Sequence, residues 1–192
     1  PMQLGPMADT FRACAELFTV DNLVEGDFYI NNDPFAGGQH LQDVFIYQPI
    51  FFEGEIVAFA GTTAHHLDLG GGNPGLSPHA ADVHAEGIIF PPSKYNVERD
   101  WNGGPLERLV AANIRVPAQT IGDFNAQFAA NAIGRHRVGE LCSRYGKELV
   151  KQVMAELQDY SERRVRAAIA ALPDGDYYGE DAVDDDGLTD KP

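Results

Sequence analysis

Two apolar runs rich in β-branched and aromatic residues, Val44 to Phe52 and Glu55 to Thr63, are separated only by Glu53-Gly54. A two-residue link ending in glycine between such runs specifies an antiparallel hairpin. With Phe52 opposite Glu55, counting outward predicts Asp43 opposite Ala64 and Gln42 opposite His65. The open end of the hairpin is flanked by two polar, glycine-rich segments. Asn32-Asp33-Pro34-Phe35-Ala36-Gly37-Gly38-Gln39-His40-Leu41-Gln42-Asp43 leads in, and Ala64-His65-His66-Leu67-Asp68-Leu69-Gly70-Gly71-Gly72 leads out.

That convergence has two readings. Imidazole nitrogens and a carboxylate oxygen brought to one place form a donor set for a divalent cation. The same groups can instead close the end of a sheet as a hydrogen-bonded cluster, because buried imidazoles and carboxylates need partners. The spacing has no fixed signature comparable to His-Glu-x-x-His on a helix. The glycines favour a ligand, since Gly37, Gly38, Gly70, Gly71 and Gly72 flank the polar groups where the backbone would take unusual angles or approach a ligand closely.

A chain of 192 residues with 44% hydrophobic content can bury one ordinary core. A formal net charge of −15, with 14 dispersed Lys and Arg residues, argues against nucleic acid and against an anionic membrane surface. The Asp184-Asp185-Asp186-Gly187 run reads as a solvated turn and does not fit an EF-hand loop. Cys14 and Cys142 read as reduced structural thiols. No apolar stretch reaches the roughly 20 residues that span a bilayer, so a soluble, cytoplasmic protein is expected.

Along the chain, Ala8 to Leu17 reads as a short helix with Met7, Phe11, Cys14 and Leu17 on one stripe, and Asp27 to Ile30 as a strand. The long Gly- and Pro-rich stretch from Gly70 to Pro92 reads as a functional loop. A short helix is expected over Leu106 to Asn113. Asp123 is expected to cap a helix with Phe124, Phe128, Ala132, Ile133, Val138, Leu141 and Cys142 as its apolar face. A second long helix from Lys147 to Leu172 would bury Val150, Val153, Met154, Leu157, Val165 and Ile169. Asp176-Tyr177-Tyr178-Gly179 reads as the start of a further strand.

The expected fold class is α+β, a small, largely antiparallel sheet packed against two long helices. Three parts are expected: a sheet-rich part with the site loops over 1–121, a two-helix part over 122–173, and an acidic turn with the start of a strand over 174–192. Pro1 at the front and the unpaired strand signal near the end predict a fragment of a larger subunit. An exposed apolar edge would promote homo-oligomers.

The ordered series Asn32-Asp33-Pro34-Phe35, Gly38-Gln39-His40-Leu41-Gln42-Asp43-Val44, Ala64-His65-His66, Gly70-Gly71, Pro74-Gly75, Glu86-Gly87 and Pro91-Pro92 resembles the hydantoinase B/oxoprolinase family. Asn113-Ile114-Arg115-Val116-Pro117, Gly122-Asp123-Phe124-Asn125-Ala126-Gln127 and Arg144-Tyr145-Gly146 extend the resemblance. It runs from about Leu4 to Gly187. One departure is Gln3-Leu4-Gly5-Pro6-Met7, where the family pattern is His-Leu-Gly-Ser-Met.

The resemblance implies ATP-dependent opening of a small cyclic amide such as a hydantoin or 5-oxoproline. It also implies a hydantoinase A-like partner subunit that binds ATP and activates the amide carbonyl oxygen. No Gly-x-x-x-x-Gly-Lys loop occurs in this chain, in keeping with ATP on that partner. Related acetone and acetophenone carboxylases use a similar subunit, so a carboxylase fragment is an alternative, as is a structural docking module without a metal. Carried over residue by residue, the metal ligands would be His40, Asp43 and His65, with His66 facing substrate. A strict hairpin register instead places Asp43 and His66 on one face and His65 on the other, an order that a bulge where Pro49 interrupts the ladder would reverse. Asp68 and Glu86 are the candidates for orienting a ligand or transferring a proton. Two imidazoles and a carboxylate suit zinc or manganese better than calcium or magnesium. His79 and His84 read as ordinary loop residues.

Overall fold

The computed structural model describes residues 4–181. The acidic Asp184-Asp185-Asp186-Gly187 turn lies outside them. Helix α1 (Leu4–Leu17) is followed by β1 (Asp27–Asn31), the hairpin β2 (Asp43–Phe52) and β3 (Glu55–His65), and β4 (Ser93–Asn96). A π-helical turn over Val97–Trp101 leads into α2 (Pro105–Asn113), α3 (Pro117–Tyr145) and α4 (Lys147–Ala170). The sheet runs β3-β2-β1-β4 with every neighbour antiparallel, which makes this an α+β protein.

Alternation along the strands divides the core in two. Phe28, Ile30, Val44 and Ile46 point to one face, where Phe124 of α3, Trp101 and Val110 complete a cluster. Tyr29, Phe45 and Tyr47 point to the other, against Cys14, Met7 and Phe11 of α1. Both faces are covered, so β2 is buried continuously from Asp43 to Ile50 and shows no polar side. Burial pushes the Cys14 thiol up to about 12, as suits an inert structural cysteine.

Several elements differ from the sequence reading. On α1 the buried stripe is Pro6, Thr10 and Cys14, while Leu17 is exposed. Thr10 is tolerated inside because its hydroxyl shares a 2.6 Å hydrogen bond with the Tyr47 hydroxyl and donates to the Pro6 carbonyl. Strand β4 had no expectation; its four residues are too few to show a period, and pairing with β1 creates it. Helix α3 begins at Pro117 rather than at a cap on Asp123, because proline is well placed in a first turn. Its buried residues are Thr120, Phe124, Gln127, Asn131 and Cys142, whereas Ile133 and Leu141 are exposed. The face of α3 toward the sheet is therefore half polar.

Contacts divide the chain into a unit over 1–151, which holds the whole sheet, and a second over 152–192. Helix α3 packs along both hairpin strands. Of the stripe expected to be buried on α4, Val150 is buried, Met154 is partly so, and Val153, Leu157, Val165 and Ile169 are exposed. The strand expected at Asp176 does not form among the described residues. No helix among them is long and apolar enough to cross a membrane.

Candidate metal centre

The turn pairs Phe52 with Glu55 as expected, but Ile50 pairs with Ala58 and Phe51 with Ile56, leaving Val57 as an extra residue in β3. This bulge moves the rest of the ladder by one position. Asp43 therefore lies opposite His65 instead of Ala64. The His66 N–H donates to the Gln42 carbonyl at 2.9 Å, so the adjacent Asp43–His65 pair falls at a non-hydrogen-bonded position, where facing side chains come closest.

His65 Nδ1 is 2.8 Å from Asp43 Oδ1. His40 reaches the same carboxylate from the preceding turn, which is closed by the Asp43 N–H donating to the His40 carbonyl at 3.0 Å. Its Nδ1 lies 3.1 Å from Asp43 Oδ2. The two imidazoles are nearly perpendicular, at 87°, with centroids 5.9 Å apart. Asp43 is 1% exposed, whereas the His40 and His65 side chains are 39% and 44% exposed. One donor atom from each of the three lies within 4.8 Å of the others.

The donor set fits a divalent cation. His40 Nδ1 is buried, and its approach to Asp43 lacks hydrogen-bond geometry, leaving it without a hydrogen-bond partner. A buried polar atom in that condition is costly unless something else satisfies it. Two nitrogens and one oxygen match zinc or manganese, and the half-exposed imidazoles leave one side of the cluster accessible.

The other predicted residues have different surroundings. His66 is 1% exposed, stacked on Phe124 at 4.1 Å, with Nε2 at 2.9 Å from Gln127 Oε1. Burial disfavours its imidazolium more than the Gln127 bond favours it, so His66 is neutral and does not face solvent. Asp68 is 3% exposed; it accepts from the Gly70 N–H, the Arg115 N–H and the Arg115 guanidinium at 2.9, 2.7 and 2.8 Å. Burial pushes this carboxyl up, but those donors outweigh it and hold the group below its ordinary value. Glu86 is half-buried and enters the site through its backbone, its carbonyl accepting from Gln42 Nε2 at 3.3 Å. His79 and His84 are exposed.

Three further residues shape the site. Asn32, 0% exposed, donates to the Leu41 and Ile88 carbonyls at 2.6 and 2.9 Å and accepts from the Phe90 N–H at 2.6 Å, clipping the two site loops together. Arg115 clamps Asp68 and also donates to the Gly71 carbonyl at 2.7 Å. Gln127 joins α3 to both hairpin strands, donating to the Val44 carbonyl at 2.9 Å. All three fall in segments that carry the family resemblance, but neither periodicity nor spacing assigns them a role.

The loop after His66 depends on glycine at Gly70. Its φ is +89°, and a Cβ there would lie 2.6 Å from the Asn113 carbonyl oxygen. Gly70→Ala is expected to cost at least about 2 kcal/mol, from the left-handed backbone plus the clash. A urea midpoint equal to that of the parent protein would refute this.

Comparison with known proteins places the geometry in a family. The hydantoinase B/oxoprolinase family profile matches residues 1–191. The chain is 35% identical over 192 residues to the caprolactamase subunit beta of Pseudomonas jessenii, covering 97% of this chain and 32% of that one. It is 30% identical over 167 residues to the 5-oxoprolinase of Dictyostelium discoideum, covering 86% and 13%. The crystal structure of the ATP-dependent caprolactamase from Pseudomonas jessenii superposes with a TM-score of 0.77 at 34% identity, over 89% of this chain and 29% of that chain. The chain thus spans about a third or less of the relatives it matches. It belongs to the hydantoinase B/oxoprolinase family.

Proposed function

We propose that this member of the hydantoinase B/oxoprolinase family is the metal-bearing part of an ATP-dependent hydrolase that opens a small cyclic amide. The observation that carries the reading is one buried carboxylate, Asp43, approached by two half-exposed imidazoles at 2.8 and 3.1 Å, so that a donor atom from each of the three lies within 4.8 Å of the others. The names of the relatives, an ATP-dependent caprolactamase and a 5-oxoprolinase, support the reaction class.

His40, Asp43 and His65 would hold the cation, zinc or manganese. When bound, it supplies a Lewis acid for a carbonyl oxygen or for water. Asp43 contributes a negative charge shielded from solvent, which strengthens its hold on a cation. His66, neutral and buried, supports the hairpin end from behind, and Asp68 shapes the loop through Arg115. Glu86 supports the site through its backbone carbonyl, which holds Gln42 beside Asp43. An unstrained amide resists attack by water until its carbonyl carbon is made more electrophilic, and we assign that activation of the carbonyl oxygen to ATP on a hydantoinase A-like partner subunit; the ring C–N bond then breaks with nitrogen as the leaving group. We place the assembly in the cytoplasm, in keeping with the free Cys14 and Cys142 thiols.

Elemental analysis and calorimetry test the two halves of this proposal. The protein incubated with zinc or manganese and then desalted is expected to retain about one metal per chain. Mg-ATP is expected to give no saturable heat without the partner, and cyclic-amide turnover is expected only when the partner is added. A metal-free protein would overturn the metal assignment. Saturable ATP binding by this chain alone would overturn the division of labour.

A further inference from the structure

We infer that Gln127 is a positioning residue that sets the register of the hairpin at the His40/Asp43/His65 cluster. The functional importance of that register rests on the metal reading above; the register itself does not.

The hairpin has two registers within reach. Continued without a bulge from the Phe52–Glu55 turn, the ladder puts Asp43 opposite Ala64. With Val57 bulged, it puts Asp43 opposite His65. A one-residue slip moves each side chain of a strand to the opposite face, and burial contrast between the faces normally forbids it. Beyond the bulge, β3 supplies little contrast: one face carries Ala58, Ala60, Thr62 and Ala64, and the other Phe59, Gly61, Thr63 and His65. At mid-strand, Phe59, packed on Phe11 and Tyr29, and Gly61, where a Cβ would lie 2.8 Å from the Tyr47 ring, favour the bulged register. At the site end, where β3 carries Thr62, Thr63, Ala64 and His65, a further constraint is needed.

Gln127 is placed to supply it because it holds both strands at the site end. Its Nε2 donates to the Val44 carbonyl of β2 at 2.9 Å, which leaves Oε1 to accept from His66 Nε2, just beyond β3, at 2.9 Å. The partners follow from this orientation: His66 carries its proton on Nε2, and Nδ1 is a bare acceptor with no partner. One turn earlier on α3, Phe124 stacks on the His66 ring, so Phe124 and Gln127 together form a slot that admits it. One turn later, Asn131 donates to the Ile46 carbonyl at 3.2 Å and reinforces β2 alone. In the slipped register His66 would leave the slot. Gln127 is 5% exposed and would lose one of its partners without water to replace it.

NMR on the full chain tests this without any substitution. Asp43 and His65 should show a strong Hα–Hα contact, His66 should show a protonated Nε2 and an unprotonated Nδ1, and the His66 amide should exchange slowly. A contact between the Asp43 and Ala64 α-protons, or a proton on His66 Nδ1, would overturn the proposal. Gln127→Met, nearly isosteric and unable to make either bond, should speed exchange at the His66 amide and weaken zinc affinity by about ten- to hundredfold. Val110→Ala, on the buried face of α2, is the control for lost stability and should leave zinc affinity within about twofold. Equal losses of affinity in both variants, or none in Gln127→Met, would refute a positioning role. If the parent protein binds no zinc, the metal reading fails, while the proton contacts still decide the register.

Discussion

Asp43→Asn is expected to lower zinc or manganese affinity by more than about a hundredfold while leaving the helical signal intact. The substitution keeps the shape of the side chain and removes the charge on which both imidazoles converge, at 2.8 and 3.1 Å. Its reach follows from position: Asp43 is 1% exposed, so water does not screen its attraction for a cation. The readout need not be turnover. A cation at about a hundred times its dissociation constant raises unfolding free energy by about 2.7 kcal/mol. Added metal should therefore raise the melting temperature of the parent protein and leave that of the variant unmoved. An equal rise in both would show that the cation binds somewhere other than this cluster.

Much of the site was legible in the sequence because it hangs on a hairpin whose turn and apolar runs are strong local signals. Glu53-Gly54 located the turn, and His40, Asp43 and His65 do come together. The register was not legible, because a bulge at Val57 leaves no mark in a run whose two faces differ little in hydropathy. Compensation by tertiary contact hid the rest. Gln127 and Asn131 look like solvent-facing residues of α3 by hydropathy, yet their amides satisfy carbonyls of β2, so the polar stripe is the buried one. The apolar residues of α4 misled in the opposite direction. Val153, Leu157, Val165 and Ile169 recur at helical spacing, but that period says only that a face is apolar and not that anything covers it. His66 shows the same limit on a smaller scale: adjacency to His65 suggested shared chemistry, while strand alternation sends the two rings to opposite faces of the sheet.

Asp68→Asn should be the most damaging polar substitution outside the three ligand candidates, costing about 3 kcal/mol at neutral pH. Both carboxylate oxygens are occupied by donors, with Oδ1 taking the Gly70 N–H and Arg115 Nη1 and Oδ2 taking the Arg115 N–H. An amide presents one donor of its own to that arrangement, and at least one N–H is left facing another. The pH dependence gives the sign. The folded carboxyl sits below its ordinary value of 3.8, so between the folded and unfolded values the unfolded chain binds the extra proton. The contribution of Asp68 is therefore complete above the ordinary carboxylate range and is lost as pH falls through the lowered folded value. Urea unfolding of parent and variant should show a gap that is constant from pH 7 down to about 5 and closes below about 4. A gap that stays constant into that acid range would mean that shape rather than charge makes the clamp. The substitution should also loosen metal binding more than its distance from the cluster implies, because Asp68 follows His65 by three residues and fixes the loop through which β3 leaves the site.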